Sequence, residues 1–150
     1  MIMKQEEQEL LLRDLCGRLP YWVKCVAISD GYIGCISSIE SQYGVVTFDD
    51  GRQEEICDIK PYLFPLSSMT EEELNDFYEA IRPAIEAAFD EYKADKTEYE
   101  GERPITLSDI KADIVAVNWM LKNHFDMNGL IEKGLAIDAT GLNIYKEETK

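Results

Sequence analysis

A chain of 150 residues with 30 acidic and 15 basic side chains carries a net charge of −15. Such a chain repels a phosphate backbone, because nucleic-acid binders draw affinity from Lys and Arg that displace counterions, and it has no basic run to hold an anionic membrane. An apolar fraction of 45% suits one domain with a real core, while no segment reaches the ~20 apolar residues that span a bilayer.

The first predicted element is a helix over about residues 4–18. Leu11, Leu12, Leu15 and Leu19 recur at helical spacing, and Glu6, Glu7, Glu9, Arg13 and Asp14 supply the wet side. Acids crowd its first turns, where the helix dipole favours them, and Pro20 ends it. From residue 21 to about 59 the period changes to that of strands. Val23, Cys25 and Ala27 alternate with Trp22, Lys24, Val26 and Ile28, and Asp30-Gly31 marks a hairpin before residues 32–39. Residues 43–48 come next, rich in β-branched and aromatic side chains, and Asp49-Asp50-Gly51 turns into residues 53–59. Four short strands with brief turns predict a bent meander or a small SH3-like barrel, since curling hides both edges and core.

Pro61 and Pro65 bracket Tyr62, Leu63 and Phe64, a strip expected to leave the ladder and fasten the barrel to the helical part of the chain. Thr70-Glu71-Glu72-Glu73 is a capping box that opens the clearest helix. Leu74, Phe77, Tyr78, Ile81, Ile85, Ala88, Phe89 and Tyr92 fall on one face of it, and Pro83 predicts a kink. It fades after Tyr92 into a polar loop over residues 93–103. A third helix starts around residues 106–108, striped by Ile110, Ile114, Val117 and Leu121. Val115, Trp119 and Met120 widen that band and imply burial on two sides. Residues 123–129 break the helix, residues 130–137 add a turn or a short strand, and the tail from 146 is expected to fray.

Chemistry has few places to reside. His124 is the only histidine, so any Ser-His-Asp or Cys-His arrangement must use it, with Asp126 as the orienting group. At a helix end, however, an imidazole is also favoured by the dipole and can cap a carbonyl. Cys16, Cys25, Cys35 and Cys57 lack the close pairs of a zinc site, and with no apolar signal region at the start they read as free thiols of a cytoplasmic protein. Gly31 and Gly34 read as hairpin glycines, with no phosphate-binding loop around them. No catalytic residue, metal site or cofactor is therefore expected.

Two surfaces stand out as candidates for binding a partner. Trp22, Tyr32, Tyr43, Phe48 and Tyr62, next to Asp49 and Asp50, are placed to line one mouth of the barrel, where aromatic faces beside carboxylates suit a cationic side chain. The same rings also suit core and hairpin edges. Residues 67–105 carry a charge of −8, against −5 for residues 1–66 and −2 for residues 106–150. Glu79, Glu86, Asp90 and Glu91 in this block form a solvated helix face, a docking surface for a basic protein, or a row that mimics nucleic acid.

Three stretches carry a family resemblance. They are Leu10-Leu11-Leu12-Arg13-Asp14-Leu15-Cys16-Gly17-Arg18-Leu19-Pro20-Tyr21, then Ile59-Lys60-Pro61-Tyr62-Leu63-Phe64-Pro65-Leu66-Ser67-Ser68-Met69-Thr70-Glu71-Glu72, and Asn123-His124-Phe125-Asp126 with Gly129-Leu130-Ile131-Glu132-Lys133-Gly134-Leu135-Ala136. Together they resemble a group of small acidic proteins frequent in gut Bacteroidales genomes and in their phages and mobile elements. The resemblance implies a bacterial or phage cytoplasmic setting and transfers no catalytic residue. Tyr21-Trp22-Val23-Lys24 departs from it, because a glycine follows the tyrosine in that group.

The expected architecture is one α+β domain over residues 1–145: an N-terminal helix, a four-stranded bent sheet or SH3-like barrel in a β-rich part at 21–66, and two packed helices in a helical part at 70–137. The expected function is a non-catalytic protein-interaction or accessory factor of a bacterial mobile element or phage, with a protein partner of basic character. No direct contact with nucleic acid or membrane is expected, and the oligomeric state is left open. The alternatives are an acidic inhibitor that mimics nucleic acid, and an enzyme using His124.

Overall fold

Helix α1 (Gln5–Arg18) opens the structure, a computed structural model that describes residues 3–95 and 107–145, with backbone alone for residues 91–95 and 108. Leu11 and Leu15, one turn apart, are fully buried, as the leucine spacing requires. Asp14 does not join the wet side predicted for it. It is buried beside Arg18 as an i, i+4 ion pair, and Arg18 Nη2 also donates to the Phe125 carbonyl at 2.7 Å. The Asn128 amide donates to Asp14 Oδ2 at 3.2 Å. Burying either charge alone is costly, but two charges four residues apart on a helix reach each other and enter the core together.

Five strands come next: β1 (Lys24–Ala27), β2 (Ile33–Glu40), β3 (Val45–Phe48), β4 (Gln53–Glu55) and β5 (Ile59–Pro65). Successive pairing joins β1 to β4 in antiparallel fashion, and β5 returns to the free side of β1. Gly51, at φ 94, closes the β3–β4 turn, with its amide donating to Phe48 O at 2.9 Å and the Phe48 amide to Arg52 O at 2.8 Å. That left-handed third residue is the position a three-residue hairpin gives to glycine. Gly34 is not a hairpin glycine as predicted. It lies within β2, where an added Cβ would come within 3.0 Å of the Phe48 ring and of the Tyr32 hydroxyl, so close packing explains it.

The strand order β4-β3-β2-β1-β5-β6, with β7 also on β5, describes an open mixed sheet. Of the two predicted forms, a four-stranded bent sheet or an SH3-like barrel, the barrel is ruled out and the sheet has more strands than expected. Its extra edge comes from β6 (Phe125–Asp126) and β7 (Ile137–Asp138), both parallel to β5. The proline-bracketed strip is therefore a strand. β1 pairs with Ile59, Lys60 and Pro61, and from Tyr62 onward the partners are β7 and β6 on the opposite side. Pro61 ends the ladder on one side without ending the strand. The Asp126 carboxylate accepts the Leu130 and Ile131 amides, each at 3.0 Å, and shapes the turns after β6. Leu11, Leu15, Val23, Ile36, Val46, Phe48, Ile59, Leu63 and Leu130 form the core beneath α1.

The chain divides into two compact units: Met1–Ser68 with Leu121–Lys150, which holds this sheet, and Met69–Met120. In the second unit α2 (Glu71–Asp95) opens on the predicted capping box: Glu73 N donates to Thr70 Oγ1 at 3.1 Å and Thr70 N to Glu73 Oε1 at 3.0 Å. The helix runs through Pro83 and three residues past the expected end at Tyr92. Helix α3 (Leu107–Lys122) begins where predicted, and Trp119 packs on Phe77 of α2 with ring centroids 5.2 Å apart. Most of the predicted 93–103 loop, and the 146–150 tail, lie outside the described residues. Among the described residues no helix is long and apolar enough to cross a membrane.

Candidate protein-interaction surface

The aromatic residues of the sheet do not gather at one mouth. Phe48 is fully buried and Tyr62 nearly so, and both belong to the core. Tyr32 is half-buried edge-on against Phe48, with its hydroxyl donating to Asp50 Oδ2 at 2.7 Å. Its face already carries a cation: the Arg52 guanidinium lies 4.8 Å from the ring centroid, held by Asp30 at 2.8 Å and Glu54 at 2.9 Å. The aromatic–carboxylate chemistry expected of a partner site is thus satisfied within the chain. Asp50 and Asp30 are held below the usual carboxylate range, Asp50 first by the Arg52 amide and Asp30 first by the Tyr32 amide. Asp49 is exposed on the same turn. Trp22 and Tyr43 are the rings left outside, 66% and 70% exposed. Trp22 stands in the left-handed region, at φ 60 and ψ 49, as the cap of the short turn after α1.

His124 takes a structural place in the first unit. Its ring stacks on Tyr145 at 3.6 Å and 10°, and its Nδ1 is buried without a hydrogen-bond partner among the described residues. Burial first, then the Arg18 and Lys24 charges, pushes its pKa down to about 4, so the imidazole is neutral. Tyr145 fixes the stack. Its hydroxyl accepts the Lys24 amide at 2.9 Å and donates to Tyr62 O at 2.7 Å, while Lys24 Nζ donates to Ile144 O at 2.8 Å. Asp126, the expected orienting group, is occupied by the Leu130 and Ile131 amides.

The four cysteines are free, and Cys25 lies in the core with its thiol pushed far up by burial. Glu55, Cys57 and Asp58 bring ligand atoms within 4.8 Å of one another. The Cys57 thiol is raised by desolvation and then by the two neighbouring carboxylates, which disfavour the thiolate a metal would take.

The surface with the most to offer a partner is on α2. Its apolar band covers about a third of the helix circumference, wider than a single packing seam needs. Ile81 and Ala88 are buried, whereas Leu74, Tyr78, Ile85 and Phe89 remain exposed along one edge of the band. Periodicity placed all of them on one face, but how much of that face would be covered was not readable from it. Asn75, Tyr78, Glu79, Ile81, Arg82 and Ile85 line a shallow groove of about 390 Å³. Beyond the exposed edge, Glu79, Glu86 and Asp90 fall within one narrow stripe of the helix and face solvent, spanning about 16 Å along the axis. Glu79 pairs with Arg82 at 2.7 Å. Glu91 points to another side by helical phase, and its side chain lies outside the described residues. α2 as a whole carries nine acids and two bases. Apolar anchors beside a carboxylate row form the complement of a basic amphipathic helix. Compared with known proteins, this chain matches no family model, no curated protein and no solved structure.

Proposed function

We propose that this protein is a non-catalytic interaction factor whose α2 takes a basic, amphipathic helical segment of a partner protein. On the resemblance to the small acidic Bacteroidales proteins, the setting is the cytoplasm of a bacterial cell that carries a phage or mobile element. The observation that carries the reading is the pairing, on one helix, of exposed Leu74, Tyr78, Ile85 and Phe89 with the outward row of Glu79, Glu86 and Asp90. Apolar anchors supply affinity in a helix-in-groove complex, and the acids supply partner choice and encounter rate.

The test is a titration of the full chain with two synthetic amphipathic helices that share an apolar face, one with Lys and Arg on its polar face and one with Glu. The basic peptide is expected to bind in the micromolar range, about tenfold more weakly at 0.3 M than at 0.05 M salt. Ile85→Asp should remove binding, and Glu86→Gln with Asp90→Asn should weaken it several-fold. Equal binding of both peptides, or binding untouched by Ile85→Asp, refutes the helix-docking reading. The outward acid row also supports a second reading, in which this face occupies the nucleic-acid site of a basic protein. Salt-dependent inhibition of a basic nuclease that survives Ile85→Asp and fails with the two neutralised acids would favour it.

A further inference from the structure

Helix α3 carries a second apolar stripe, independent of the α2 surface. Leu107, Ile110, Ile114 and Val117 recur at spacings of three, four and three, which is the a/d rhythm of a two-helix seam. They lie on the side of α3 opposite Trp119, the residue that meets α2, and are 46–63% exposed. The band predicted to be buried on two sides is thus covered on one. Charge separates this stripe from the α2 surface. α2 carries nine acids against two bases, so a second copy placed there meets strong like charge; α3 carries two acids and two bases and is neutral.

The flanks of the stripe are complementary as well. Lys111 and Asp113 are both exposed, and helical phase puts them on opposite sides of the seam. A parallel two-fold pairing sets the Lys111 flank of each copy against the Asp113 flank of the other. An antiparallel pairing sets lysine against lysine and aspartate against aspartate. We propose that α3 is the interface of a parallel, two-fold dimer of this chain. The four apolar side chains offer on the order of 400 Å² per copy, about 800 Å² in total and less than a stable interface buries, so the dimer is a weak, transient one with a dissociation constant in the upper micromolar range.

The experiment is sedimentation equilibrium of the full chain from 5 μM to 500 μM at two salt concentrations. A monomer–dimer equilibrium is expected that tightens as salt rises, because screening reduces the repulsion between two copies of charge −15. Ile114→Asp should weaken it at least a hundredfold with the circular dichroism spectrum unchanged, and Ile85→Asp on α2 should not alter it. Lys111→Asp and Asp113→Lys should each weaken the dimer about fivefold, and the double exchange should restore it. A chain that stays monomeric at 500 μM overturns the proposal, as does a dimer indifferent to Ile114→Asp. Single charge changes without effect, or a double exchange that fails to restore, overturn the parallel arrangement. Binding of the basic peptide is measured separately and through α2 variants, so either result stands without the other.

Discussion

His124 joins two features that usually exclude each other: an ionisable ring and a buried Nδ1 that has no hydrogen-bond partner among the described residues. Its backbone is left-handed, at φ 65, and its ring is held flat against Tyr145. Protonation would leave a buried cation close to Arg18 and Lys24, so burial first and those charges second lower the pKa in the folded chain from 6.5 to about 4. An unfolded chain binds the proton more readily, so stability is full above about pH 6.5 and is lost as pH falls toward 4. The loss attributable to this one group is about 2 kcal/mol once the exposed edge of the ring is allowed for. His124→Asn, which tolerates the left-handed backbone and takes no proton, should flatten that part of the profile. Urea unfolding at a series of pH values checks it, since the carboxylates titrate alike in both proteins and only the difference matters; parallel curves would refute the assignment. Trp22 shows the same strain without the burial. A bulky residue at φ 60 costs about 1–2 kcal/mol where glycine costs nothing, and the Trp22 side chain is largely exposed.

Elements resolve differently from residues. The capping box of α2 was legible because Thr70 and Glu73 satisfy each other within four residues, and nothing distant alters that. Helix α1 was legible from its leucines, but Asp14 was not, because its burial depends on Arg18, Phe125 and Asn128 meeting in space. The strands β1 to β4 came from alternation and turn chemistry. β5 was hidden by two prolines whose effect depends on which side of the strand is paired, and closure against openness is decided by the distant residues of β6 and β7. Of the site, the apolar faces of α2 and α3 were readable, and which of their residues are exposed was not, because periodicity gives a face and says nothing of its neighbour. Pro83 gives this scale its prediction. It is exposed within α2, lacks the amide that would donate to the Glu79 carbonyl, and its ring crowds that carbonyl. Pro83→Ala should raise the stability of the helical unit by about 2 kcal/mol and increase the helical circular dichroism signal. A neutral or destabilising result would mean that the surroundings require the proline backbone.

Across the whole molecule the dominant fact is a charge of −15, from 30 acidic against 15 basic side chains. Among the described residues Arg18 pairs with Asp14, Arg52 with Asp30 and Glu54, and Arg82 with Glu79, which leaves a large surplus of carboxylates in mutual repulsion. Self-repulsion of this kind opposes compactness and is screened over about 10 Å at 0.1 M salt. One field then acts on three processes with different signs. Salt should relieve repulsion within the fold and between two copies at the proposed α3 seam, and should weaken attraction between α2 and the proposed basic helix. Thermal melts at pH 7 should therefore shift upward by several degrees from 0.02 M to 0.3 M potassium chloride, equivalent to about 1 kcal/mol. The shift should shrink when Glu86 and Asp90 are neutralised, because both lie in the densest part of the charge. The buried Asp14–Arg18 pair is shielded from ions and contributes little salt dependence of its own. A melting temperature that falls with salt would mean that surface ion pairs outweigh repulsion, and the electrostatic basis for both proposed interfaces would fail with it.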